Sequence, residues 1–100
     1  MLATNTKSSD RAVLARQYLK ALGGHDNLVS IDACITRLRL TLKNRQSVDE
    51  RTLKALGASG VVKLGENNLQ VVLGPLAEII AGEMRNIPAS EDLTGIALPA

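Results

Sequence analysis

Between Leu28 and Leu42 apolar and polar residues alternate, and this period of two limits the possible folds more than any other feature of the chain. Val29, Ile31 and Ala33 alternate with Ser30 and Asp32; beyond Cys34, Leu38, Leu40 and Leu42 alternate with Arg37, Arg39 and Thr41. Successive side chains on a strand point to opposite faces, so the pattern predicts two half-buried strands. The interruption at Cys34 and Ile35 places a turn between them. Leucines on one face need an apolar cover, and arginines on the other need water.

The cover is legible on either side. Leu14, Tyr18 and Leu22 recur at four-residue spacing, with Ala15 and Leu19 beside them, and Gly23-Gly24 stops the run. Ser9 is the expected N-cap of this helix, with Asp10 in its first turn. Ser47-Val48-Asp49-Glu50 has capping-box spacing and predicts a second helix through Leu53 and Leu56 to Gly57, with Ser47 as its cap. Val61–Leu64 and Leu69–Leu73 read as two further strands around Glu66-Asn67-Asn68. Gly74-Pro75 opens a last helix with its stripe on Ala77, Ile80 and Met84, and Pro88 ends it. The expected fold is α+β, in the order α-β-β-α-β-β-α. It is a four-stranded antiparallel sheet covered on one face by three helices and wet on the other. Residues 1–8 are expected as a flexible arm, 9–87 as the domain and 88–100 as a linker or tail.

Composition narrows what such a domain does. Tyr18 is the only aromatic residue of 100, so the core is aliphatic. The net charge of +2 is too small to imply a polyanionic partner. No apolar run is long enough to span a bilayer, and Met1 to Ser9 lacks the apolar stretch of a secretory signal. The single cysteine excludes an internal disulfide and a CxxC site, which fits a reducing cytosol.

Chemistry concentrates around that cysteine. The thiolate is the nucleophilic form, and nearby cations favour it. Arg37 and Arg39, two apart on a strand, place their side chains on one face about 6–7 Å apart. A guanidinium fork grips two phosphoryl oxygens at once. A turn at Cys34 offers backbone N–H donors and Thr36 a hydroxyl. A lone cysteine is also a common inert core filler, and alternating arginines are commonly just a solvated face. Periodicity alone leaves both readings standing.

The segment Asn27–Leu42, NLVSIDACITRLRLTL, closely resembles the phosphorylation-site motif of IIB domains of the glucose/N-acetylglucosamine-type bacterial phosphoenolpyruvate-dependent sugar phosphotransferase system. Leu56–Val61 and Leu69–Gly74 are similar to later landmarks of that family, and the resemblance extends over residues 10–87. It implies an enzyme, a protein-phosphocysteine-sugar phosphotransferase. Its cysteine takes phosphate from a phosphohistidine of a IIA protein and gives it to a hexose held in the membrane IIC domain. The phosphocysteine matches Cys34, and the arginines needed for onward transfer match Arg37 and Arg39. Ile35 and Thr36 match the residues beside the site, Asp32 the aspartate before it, and Gln70 a glutamine on a later strand. Asn44 stands where the family usually carries Asp, outside the reactive cluster. The resemblance implies no cofactor and no metal, a monomeric isolated domain, and a cytoplasmic position at the inner membrane face through IIC. The stretch Leu69–Pro75 leans toward the N-acetylglucosamine branch.

Other residues are assigned quieter roles. His25 follows Gly23-Gly24 and reads as a turn residue, Gly57 and Gly60 as a helix stop and a strand entry. Tyr18 and Met84 read as core. Asp32 fits two readings equally, orienting the site or facing solvent. The alternative function is a non-enzymatic regulatory or ligand-binding module using the Arg37/Arg39 face. An RNA-binding version of it lacks the sheet aromatics on which bases stack, and a thiol redox sensor lacks a resolving cysteine.

Overall fold

The computed structural model describes residues 2–99, with side chains described from Asp10 onward. Strands β1 (Leu28–Ala33), β2 (Arg37–Leu42), β3 (Gly60–Leu64) and β4 (Asn68–Val72) form one sheet in the order β1-β2-β4-β3. Every neighbouring pair is antiparallel. Helices α1 (Leu2–Ala21), α2 (Glu50–Ala55) and α3 (Ala77–Asn86) cover one face. α3 packs on β1 and β2, α2 packs on β3, and α1 lies against both other helices. The expected α+β architecture and element order are those observed.

The alternation of β2 decides which face is which. Leu38, Leu40 and Leu42 are buried with Leu69 and Val71 of β4, beneath Leu19, Leu22, Leu53, Ile80 and Met84 of the helices. Tyr18 joins this core, and burial pushes its phenol up to about 12, so its hydroxyl stays protonated at any physiological pH. Arg39, between two of those leucines, is exposed on the opposite face.

Local details differ from expectation. Val29 was expected on the buried face, yet it is 61% exposed. The β1–β2 register shifts between Leu28 and Ser30, a bulge that turns the intervening side chain outward. The N-cap of α2 is Asp49, whose carboxylate accepts from the Thr52 N–H at 3.2 Å. Ser47, the expected cap, lies in a short 3-10 turn, Arg45–Ser47, that Asn44 caps by accepting from the Gln46 N–H. Asp and Ser compete as caps on similar terms, and the 3-10 turn leaves Asp49 as the residue at the helix entrance. Helix α1 is continuous from Leu2, so Ser9 lies inside it and residues 2–8 of the stretch expected as an arm have helical backbone, Met1 lying outside the described residues. No Gly or Pro precedes Gly23 to break it.

Residues 88–99 have no regular structure but are held. Arg16 grips both carboxylate oxygens of Glu91. Lys20 donates to the Ile96 carbonyl at 2.8 Å and Gln17 to that of Ala97 at 2.9 Å. Leu93 packs against the core, so this segment belts α1 from outside. The Arg16 hydrogen bond holds the Glu91 carboxyl below the usual carboxylate range. A depressed carboxyl adds stability that is fully present above the unfolded pKa, about 4.3, and is lost as pH falls through the folded value. Glu91→Gln is therefore expected to lower the thermal midpoint at pH 7, and the gap from the parent should close below about pH 4. A gap of the same size at acid pH would show that the ion pair does not hold the belt.

Candidate functional site

Cys34 sits where the chain turns from β1 to β2, at the sheet edge, partly exposed. Its N–H donates to the Arg37 carbonyl at 2.9 Å, closing a tight loop over Ile35 and Thr36. The Thr36 backbone N–H acts most strongly on the sulfur and favours its anion. Burial opposes this, and the Arg37 N–H and the Arg39 charge reinforce it; the net effect lowers the thiol pKa. Backbone N–H groups converging in a turn make an anion cradle that needs no cationic side chain in contact. Ile35, at the tip, is 77% exposed.

The open face gathers four of the expected residues. Register places Asp32 of β1, Arg39 of β2 and Gln70 of β4 opposite one another in a single row. Arg37, one step nearer the turn, donates from Nη1 to Gln70 Oε1 at 3.0 Å. Gln70 thereby holds the Arg37 fork at the end of the sheet where Cys34 lies. The Arg39 guanidinium makes no hydrogen bond among the described residues. A shallow depression of about 370 Å³, lined by Ser30, Asp32, Arg39, Thr41, Asn68 and Gln70, runs along this face. A larger one of about 490 Å³ lies against α2 and Pro99 and includes none of the candidate site residues.

Asp32 is engaged by neighbours other than Cys34. Its Oδ1 accepts from the Ala33 N–H at 2.8 Å and meets Arg85 Nη2 at 3.4 Å, and its side chain is 72% exposed. Of the two readings open for it, solvent exposure with a link to α3 describes its contacts. Thr36 enters through its main chain: its carbonyl accepts from the N–H groups of both Leu73 and Gly74, each at 2.9 Å. Arg85, Leu73 and Gly74 were not among the expected site residues. Backbone donors leave no side-chain signature, and Gly74-Pro75 reads in sequence only as a helix start. His25, in a 3-10 turn before β1, stands a six-residue strand away from Cys34, about 20 Å. Among the described residues no group of His, Cys, Asp and Glu could hold a metal ion, and no helix is long and apolar enough to cross a membrane.

Comparison with known proteins matches this arrangement to one family. The family model for phosphotransferase system EIIB covers residues 16–49, which contain the whole β1–Cys34–β2 hairpin. The chain belongs to the EIIB family of the phosphotransferase system. An N-acetylglucosamine-specific EIICBA component from Klebsiella pneumoniae is 53% identical over 74 residues, 74% of this chain. An N-acetylglucosamine-specific EIICB component from Bacillus subtilis is 55% identical over 67 residues, 67% of the chain. A glucose-specific EIICBA component from Staphylococcus saprophyticus is 46% identical over 88 residues, 88% of the chain. The matches span only 11%, 15% and 12% of those proteins' lengths. The fold is similar to the crystal structure of one domain of a phosphotransferase system IIabc component from Clostridium difficile. That likeness has a TM-score of 0.61 and 26% identity, over 76% of this chain and 77% of that one.

The geometry of this EIIB domain fixes how its thiol should react. Alkylation of Cys34 by iodoacetamide is expected to titrate with a midpoint below that of a free cysteine, about 8.5. In 6 M guanidinium chloride the midpoint should return to that value. Identical profiles for the folded and unfolded chain would show that the turn does not favour the thiolate.

Proposed function

We propose that this EIIB domain is a phosphocarrier in which Cys34 takes a phosphoryl group from a phosphohistidine of a IIA protein and passes it to a hexose bound in a membrane IIC domain. The observation that carries the reading is that Cys34 stands partly exposed in the β1–β2 turn, where neighbouring backbone N–H groups favour its thiolate, at the end of the strand that carries Arg37 and Arg39. An inert filler would sit among the leucines beneath the helices.

In the first step the thiolate attacks phosphorus in line with the P–N bond of the phosphoimidazole. The S–P bond forms, the P–N bond breaks, and the imidazole leaves with the electron pair and takes a proton. In the second step a sugar hydroxyl oxygen attacks phosphorus opposite sulfur. The S–P bond breaks, the thiolate is regenerated, and the hydroxyl proton goes to a base on the sugar-binding side. The phosphoryl group is always attached to a carrier or a substrate, so the chain's task is positioning and charge stabilisation. The N–H groups of Thr36 and Arg37 are placed to take phosphoryl oxygens, and Arg37, held by Gln70, offers its fork to the same group. Arg39, with no competing bond among the described residues, is available to the incoming acceptor.

Partner contact is supported by apolar surface at the site. Ile35 at the tip is exposed, as are Leu76 and Ile79, just before and within the first turn of α3, the element that follows the Thr36 contacts at Leu73 and Gly74. Protein interfaces centre on such groups, with charges at the rim. The hexose is assigned as glucose or N-acetylglucosamine from the specificities named for the similar proteins.

Incubation with phosphoenolpyruvate and the general phosphotransferase proteins is expected to add one phosphoryl mass to Cys34. Cys34→Ser should abolish it, and undiminished labelling of that variant ends the proposal. Arg37→Lys and Arg39→Lys remove the bidentate fork but keep the charge. They are expected to load normally and to slow transfer to sugar by about tenfold or more, equal to about 1.4 kcal/mol. Unchanged sugar phosphorylation would remove the arginines from the second step.

A further inference from the structure

Thr36 and Arg37 are joined by one peptide unit, and that unit has two faces. A trans peptide is planar, so its C=O and N–H point in opposite directions; the chain has no cis peptide among the described residues. The Arg37 carbonyl accepts the Cys34 N–H at 2.9 Å, so Arg37 faces Cys34 across the turn, and its own N–H favours the thiolate there. On the far side, the Thr36 carbonyl oxygen receives two donors at once, the consecutive N–H groups of Leu73 and Gly74, each at 2.9 Å.

The two N–H groups flank the Leu73 Cα, and a ψ near 0° at that residue turns both toward one atom, while the φ of Gly74 sets where the chain goes next. Leu73 has φ −115° and ψ −8°, and Gly74 has φ +69°. A right-handed residue followed by a left-handed one forms a nest, a concavity of N–H groups that holds an electronegative atom. Here its guest is the Thr36 oxygen. A Cβ on Gly74 would meet nothing within 4 Å, so space does not require glycine there. The positive φ does.

We infer that the Leu73–Gly74 nest is a positioning device for the carrier cysteine, fixing the Thr36–Arg37 peptide so that its N–H faces the sulfur and the phosphoryl group it bears. Flipped over, the same peptide would present its carbonyl oxygen to an anion. Two donors on the oxygen also polarise the peptide and strengthen its N–H on the other side. Leu73 and Gly74 thus act on Cys34 through one peptide plane without touching it. The assignment of the phosphoryl group to Cys34 rests on the carrier reading; the effect on the thiol itself does not.

The chain's single cysteine makes the test unambiguous. Iodoacetamide alkylation across pH, and loading from phosphorylated IIA, are measured for the parent, Gly74→Val and Gly74→Asn, with melting curves for each. Valine disfavours positive φ, whereas asparagine tolerates it. Gly74→Val is expected to raise the alkylation midpoint by about half a unit or more, about a threefold loss of rate at pH 7, and to slow loading at least as much. Gly74→Asn should restore both toward the parent. If Gly74→Val does not fold, an ester replacing the Gly74 amide, made by semisynthesis, deletes the N–H alone and should give the same shift. A folded Gly74→Val chain, or the ester, with the parent's alkylation profile overturns the inference. A parent chain that alkylates as expected but never accepts phosphate overturns the carrier reading and leaves the nest standing.

Discussion

Antiparallel pairing of β2 on both its edges is the constraint on which the site depends. With β1 on one side and β4 on the other, β2 cannot rotate or slip without moving three leucines out of the core. A slip of one residue would exchange the leucines with the arginines. The burial of Leu38, Leu40 and Leu42 therefore also fixes where Arg37 and Arg39 stand. The same pairing delivers Gln70 to the open face and Asp32 to the edge. A reactive face is thus positioned by hydrophobic register, with few polar contacts required.

The Cys34 turn draws on a second source of order. Its two flanking strands hold it from below, and the β4–α3 connection holds it from the side through the Thr36 carbonyl. Backbone N–H groups then serve the sulfur directly, with the arginine charges farther along the sheet. Division of labour follows from geometry: main-chain dipoles act on the thiolate, and guanidiniums face whatever approaches from solvent. An open face suits the proposed carrier role, in which two partners would be met in turn. An enclosed pocket would hinder both.

Most of the fold was legible because it rests on periodicity, which one chain displays in full. The stripe Leu14–Tyr18–Leu22 and the alternation of β2 each mapped onto the observed core. What escaped the sequence depends on pairings that the sequence does not state. Val29 keeps the alternation on paper and loses it as the extra residue of a bulge in β1. Ser47 and Asp49 both satisfy capping rules, and the 3-10 turn that takes up Ser47 decides. For the site, Cys34, Arg37, Arg39 and Gln70 were readable from side-chain type together with the family motif. Asp32 was readable as a position but not as a partner of Arg85, because α3 reaches it only in three dimensions. Leu73 and Gly74 contribute main-chain N–H groups, and nothing in their side chains announces that.

Which atom bears the phosphoryl group is the central question, and 31P NMR of the phosphorylated chain answers it most directly. The account predicts one thiophosphate resonance with through-bond coupling to the β-protons of Cys34. A phosphoramidate resonance coupled instead to the ring of His25, the chain's only histidine, would contradict it.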